Sequence, residues 1–122
     1  MKNIKLFDAE LKFMNIIWDN APINSTELVK KALDELGWKK STTYTVIRKL
    51  CDRGVLQNKN TIVTALVDRK QVQREASQDH LKKMYDGSLK LFLASFLDKE
   101  QLTEREALEL KELIDKKTEK ES

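Results

Sequence analysis

The sequence predicts a mostly α fold interrupted once by a small β-wing, and three observations carry that expectation. Apolar residues recur at helical spacing along most of the chain. Only three Gly and one Pro occur in 122 residues, which argues against a multi-stranded sandwich and against a glycine-rich phosphate loop. One stretch, "VLQNKNTIVTALV" from Val55 to Val67, breaks the helical period with short β-prone runs. Hydrophobic residues make up 40% and charged residues 35%, enough to bury a core beneath heavily solvated faces.

Taken in order, the first helix starts at Asp8, read as its N-cap. It carries Leu11, Met14, Ile17 and Trp18 on one face, and Asn20-Ala21-Pro22 stops it. Asn24 with Glu27 three residues later reads as an N-terminal capping signature. Leu28, Val29, Ala32, Leu33 and Leu36 then line a second helix, closed by Gly37. A third helix runs from about Lys40 to Arg53, and Gly54 ends it in the same way. The β-prone runs fold as a hairpin around Lys59-Asn60.

Asp68 can cap a long polar helix with a sparse stripe of Val72, Ala76, His80 or Leu81, Met84 and Tyr85. Asp86-Gly87 interrupts it, and the apolar run "SLKLFLASFL" follows. Thr103 with Glu106 forms a second capping box, opening a last helix through Leu110, Leu113 and Ile114. Three helices and a hairpin match a winged helix-turn-helix, a DNA-binding domain over 1–67. Residues 68–122 form a helical dimerisation domain.

The third helix explains an odd run, "KKSTTYTVIRKL", whose hydroxyl and β-branched residues are only middling helix formers. At about 100° per residue, Thr43, Val46, Ile47, Leu50 and Cys51 share one arc. Ser41, Thr45, Arg48, Lys49 and Asp52 occupy the opposite arc, with Thr42 and Tyr44 on its shoulders. The inner arc is core. The outer arc places short hydroxyls near the helix start, where they can meet base edges in a major groove, and cations farther along. Lys39, Lys40, Arg48, Lys49 and the wing's Lys59 are the expected phosphate contacts.

Charge agrees locally rather than globally. The net charge of +3 is small, but residues 1–67 carry 11 Lys/Arg against 7 Asp/Glu. Within 37–60, six cations face the single Asp52. The partner this surface suits is double-stranded DNA. The alternative is a winged-helix protein-interaction module that uses the same face on an acidic protein.

Leu89, Leu91, Phe92, Leu93, Phe96 and Leu97 are too apolar for the surface of a monomer. Burying each is worth about 1.5–3 kcal/mol, and two flanking amphipathic helices cannot cover them all. A homodimer interface is expected there, with Met84, Tyr85, Leu110 and Leu113 joining it.

Little else suggests chemistry. Cys51 is alone, so no intrachain disulfide forms, and one Cys with the single His80 cannot make a zinc site. Cys51 reads as a small buried hydrophobe. No G-x-x-x-x-G-K, G-x-S-x-G or H-E-x-x-H occurs, so neither an enzyme nor a cofactor is expected. The N-terminus lacks an apolar signal region and no run approaches ~18 apolar residues, which predicts a cytoplasmic protein without membrane insertion.

Three segments carry a resemblance: "DAELKFMNIIWD", "STTYTVIRKLCDRGVL" and "HLKKMYDGSLKLFLASFLDKEQLTEREALELKELI". They are similar to the penicillinase-repressor (BlaI/MecI/CopY) family over about Phe7 to Lys117. The resemblance implies a homodimeric transcriptional repressor on an inverted-repeat operator, controlling genes for resistance to β-lactam or other cell-wall antibiotics. It puts base reading on Ser41, Thr42, Tyr44 and Thr45, and interlocks two subunits through the C-terminal helices. Some members have Lys or Arg where this chain has Ser41 and Tyr44, and Val63 and Thr64 replace the wing's usual aromatic pair. The Cys-rich tail of copper-responsive relatives is absent. The resemblance also implies inactivation by proteolysis downstream of a sensor membrane peptidase. The family's Asn–Phe scissile bond falls on Ser95-Phe96.

Overall fold

The computed structural model describes residues 5–119 and divides the chain into two compact units, one through Gln78 and one from Asp79. The elements are α1 (Asp8–Asn20), β1 (Ile23–Asn24), α2 (Ser25–Leu36), α3 (Lys40–Asp52), β2 (Leu56–Lys59), β3 (Ile62–Ala65), α4 (Arg69–Tyr85), α5 (Leu89–Leu97) and α6 (Glu104–Lys117).

In α1 the buried stripe is Phe13, Met14, Ile16 and Ile17, while Leu11, expected inside, is 38% exposed at its edge. Asp8 is not the cap. Phe7 holds the extended backbone of an N-cap, and its amide N–H donates to Glu10 Oε1 at 3.0 Å. Asp8 instead joins Glu10 in the first turn, where negative charge meets the positive end of the helix dipole.

The α2 cap is as expected. Asn24 Oδ1 accepts from the Thr26 amide at 2.8 Å, and Gly37 closes the helix at φ 70°. That left-handed conformation costs an L side chain about 1–2 kcal/mol. The buried stripe runs through Ser25, Leu28 and Ala32. Leu33, expected on it, is rotated about 100° from Ala32 and is 56% exposed.

The wing is a three-stranded antiparallel sheet in the order β1-β3-β2. Its turn residues are Asn60 and Thr61, both at positive φ, one position beyond the Lys59-Asn60 expected from sequence. Lys59 and Ile62 form the closing pair of this two-residue hairpin. β1 was not foreseen, since two residues carry no periodicity. Its Ile23 is buried and pairs with Val63.

One core joins these elements: Phe13, Met14, Ile17, Leu28, Ile47, Leu50, Leu56 and Val63 are among its buried members. Phe13 and Trp38 stack at 5.0 Å between ring centroids. The start of α4 is tied to α1. Arg69 Nη2 donates to Asp19 Oδ1 at 2.8 Å and to the Asn15 carbonyl at 3.1 Å, and its guanidinium lies 5.2 Å from the Trp18 ring. These ties hold the first part of α4 in the first unit, and the boundary between the two compact units falls within α4.

In the second unit, α4 ends on Asp86 and Gly87, both at positive φ, with the Gly87 amide donating to the Leu81 carbonyl at 2.9 Å. Ser88 caps α5 through the Leu91 amide at 3.1 Å. The Thr103/Glu106 capping box forms reciprocally, at 3.1 and 3.2 Å. His80, Tyr85, Phe92 and Phe96 make an aromatic cluster, with Tyr85 and Phe92 edge-on at 5.5 Å. No residue of α5 or α6 is buried within the chain.

Candidate nucleic-acid interface

The third helix is held by its inner arc. Thr43, Ile47 and Leu50 are buried, and Val46 and Cys51 pack against the core from its margins. Thr43 repays its buried hydroxyl by donating to the Lys39 carbonyl at 3.2 Å, which is why a polar residue is tolerated there. Burial pushes the Cys51 thiol above its ordinary pKa, a shift partly opposed by a backbone hydrogen bond from Asn58. The thiol is half-buried and packs against the margin of the core, rather than fully inside it as the sequence suggested.

The outer arc is open. Ser41, Thr42, Thr45, Arg48 and Lys49 are exposed, as are Lys39 and Lys40 before them and Lys59 on the wing. Thr45 Oγ1 donates to the Ser41 carbonyl at 2.9 Å, so its hydrogen is engaged within the helix and the hydroxyl keeps only acceptor capacity. The five cations Lys39, Lys40, Arg48, Lys49 and Lys59 make no ion pair among the described residues. Arg53, the sixth cation of this stretch, differs. Its Nη1 lies 3.0 Å from the Glu10 carboxylate and its Nη2 donates to the Lys5 carbonyl, so its charge is spent inside the protein.

Tyr44 also departs from the outer set. It is half-buried against the core, and its hydroxyl donates to Ser25 Oγ at 3.4 Å. The structure thus brings Ser41, Thr42 and Thr45 together on one exposed face and turns the Tyr44 hydroxyl toward α2.

The residues expected at a subunit interface lie bare or half-bare in the second unit. Met84, Leu89, Phe96, Leu97, Leu110 and Leu113 are exposed, and Tyr85, Phe92 and Leu93 are half-buried. Leu91, part of the same expected run, is exposed as well, and so are Leu108 and Ile114 on α6, which the interface expectation left out. Ser95 and Phe96 lie exposed within the α5 helix. Among the described residues no cluster of His, Cys, Asp or Glu could hold a metal ion, and no helix is long and apolar enough to cross a membrane.

The family model described as penicillinase repressor matches residues 6–116. The chain belongs to the penicillinase repressor family. Among its relatives, the penicillinase repressor of Bacillus licheniformis is 28% identical over 120 residues, covering 94% of each chain. The methicillin resistance regulatory protein MecI of Staphylococcus aureus (strain Mu50 / ATCC 700699) is also 28% identical, over 95% of this chain and 98% of its own. Among solved structures, the monomeric form of Bacillus licheniformis BlaI in complex with the blaP half-operator is similar at a TM-score of 0.50. It is 27% identical and covers 57% of this chain and 90% of that one. The DNA-binding domain of the repressor BlaI matches equally. The first unit is therefore a winged helix-turn-helix, and the family is one of transcriptional repressors rather than enzymes.

Proposed function

We propose that this penicillinase repressor family member is a sequence-specific DNA-binding repressor that acts as a homodimer on an inverted-repeat operator. The observation that carries the reading is the exposed face of α3, with Ser41, Thr42 and Thr45 at the helix start and Arg48 and Lys49 farther along, anchored from behind by Thr43, Ile47 and Leu50. Short hydroxyls at the start of a helix entering the major groove meet base edges, and Thr45, its hydrogen already donated, accepts from a base amino group. Lys39, Lys40, Arg48, Lys49 and Lys59 take the phosphates, which sets register without reading sequence.

The dimer rests on α5 and α6. A helix as apolar as "LKLFLASFL" with no residue buried in its own chain is unsatisfied until a second copy covers it. The relatives' names, a penicillinase repressor and a methicillin resistance regulator, support resistance genes as the regulated class. The resemblance to the family, rather than any contact in the structure, supports release from DNA through a sensor membrane peptidase and cleavage in α5. Footprinting on the DNA upstream of the protein's own gene tests the proposal. Protection of two half-sites in inverted orientation is expected, and uniform or absent protection contradicts it.

A further inference from the structure

Tyr44, Ser25 and Thr61 form a chain of contacts across three elements. The Tyr44 hydroxyl of α3 donates to Ser25 Oγ at the start of α2, at 3.4 Å. The Ser25 amide donates to the carbonyl of Thr61, in the wing turn, at 2.7 Å. Beside it, Asn24 Nδ2 donates to Thr61 Oγ1 at 3.4 Å, and β1 pairs with β3 through Asn24↔Ile62. Ser25 is only 2% exposed, so the middle of this chain is shielded from water. Thr61 itself holds φ 66°, a conformation that a β-branched residue adopts only when its surroundings hold it there.

We infer that Tyr44 is a positioning residue rather than a base-reading one: through Ser25 it fixes the wing turn relative to the recognition helix, so that Lys59 and the α3 face meet one stretch of duplex together. The inference rests on the DNA-binding reading above. A rigid link matters here because Lys59 and α3 lie on separate elements. A wing free to swing loses the phosphate contact at Lys59 without any change in the face that reads bases. The consequence is a distinctive signature. Loss of the Tyr44 hydroxyl weakens operator and random DNA alike, and it acts only through Lys59.

The test is a double-mutant cycle with Tyr44→Phe and Lys59→Ala in the full-length protein, read as affinity for operator and for random duplex over a range of salt. Tyr44→Phe keeps the ring packed against the core and removes only the hydroxyl. About five- to tenfold weaker binding to both DNAs is expected, the net worth of one hydrogen bond to a positioned group. The salt slope falls as it does for Lys59→Ala, and the double variant binds no worse than Lys59→Ala alone. Ser25→Ala, which cuts the same link from the other side, reproduces the result and serves if Tyr44→Phe does not fold. A loss confined to the operator makes Tyr44 a base reader and overturns the inference. Additive losses, or no loss, also overturn it. If the unaltered protein shows no operator preference, the DNA-binding reading itself fails, an outcome visible before any variant is made.

Discussion

Arg53, at the end of the recognition helix, grips Glu10 in the first turn of α1, with Nη1 3.0 Å from each carboxylate oxygen. Glu10 Oε1 also accepts the Phe7 amide, so one carboxylate both caps α1 and holds the far end of α3. The Glu10 side chain is 14% exposed and that of Arg53 37%, so the pair is partly screened. Glu10→Ala should destabilise the first unit by roughly 1–2 kcal/mol, counting the lost cap as well as the pair. Arg53→Ala in the same background should add little. Thermal or urea unfolding of the four proteins of that cycle measures it, and full additivity would show that the two residues act independently.

On the proposed reading, Thr45 and Lys49 should divide the labour of α3. Thr45→Ala should cost on the order of 1–3 kcal/mol on operator and little on random DNA. Lys49→Ala should weaken both similarly and lower the salt slope by about one. Affinity titrations at several salt concentrations distinguish them, and equal losses from Thr45→Ala on both DNAs would exclude base reading at that position.

Ending the chain at Gln78 removes α5 and α6 but spares the core built from α1, α2, α3 and the wing. The shortened protein should fold and sediment as a monomer. Its affinity for a full operator should drop by about 10²–10⁴, the advantage of a linked pair of binding sites. A dimer in sedimentation, or undiminished operator binding, would place the interface elsewhere.

Cleavage at Ser95-Phe96 should release the operator by separating Phe96 from Phe92, whose ring lies 6.1 Å away, and from the rest of α5. The bond lies in helical backbone, so a protease needs the helix to open locally first. By the resemblance, Ser95 would take the place of the family's asparagine, so the experiment also tests whether that side chain is required. Mass spectrometry of the protein from cells exposed to a cell-wall antibiotic should show a fragment ending at Ser95. Intact chain alone, while target genes are induced, would route release through a ligand or another bond.

What was legible in the sequence was local. Gly37, Gly54 and the Thr103/Glu106 box act on backbone groups a few residues away, and each ends or begins an element where its chemistry requires. The arcs of α3 followed from a single helix wheel. What escaped depends on partners distant in sequence. β1 is strand only because Ile23 meets Val63, and Arg69 belongs to the first unit because Asp19 and Trp18 hold it. Tyr44 is the clearest case. Its helical position puts it on the shoulder of the outer face, but Ser25, 19 residues away, turns its hydroxyl inward.

The central claim, that α3 reads sequence, is tested most directly by one ratio: the affinity of the full-length protein for its upstream operator over its affinity for random duplex, measured by fluorescence anisotropy at one fixed salt concentration. A repressor of this design should prefer the operator by about 10³ or more. A ratio near one, with both affinities falling steeply as salt rises, would mean that the lysines and Arg48 bind phosphate while Ser41, Thr42 and Thr45 read nothing.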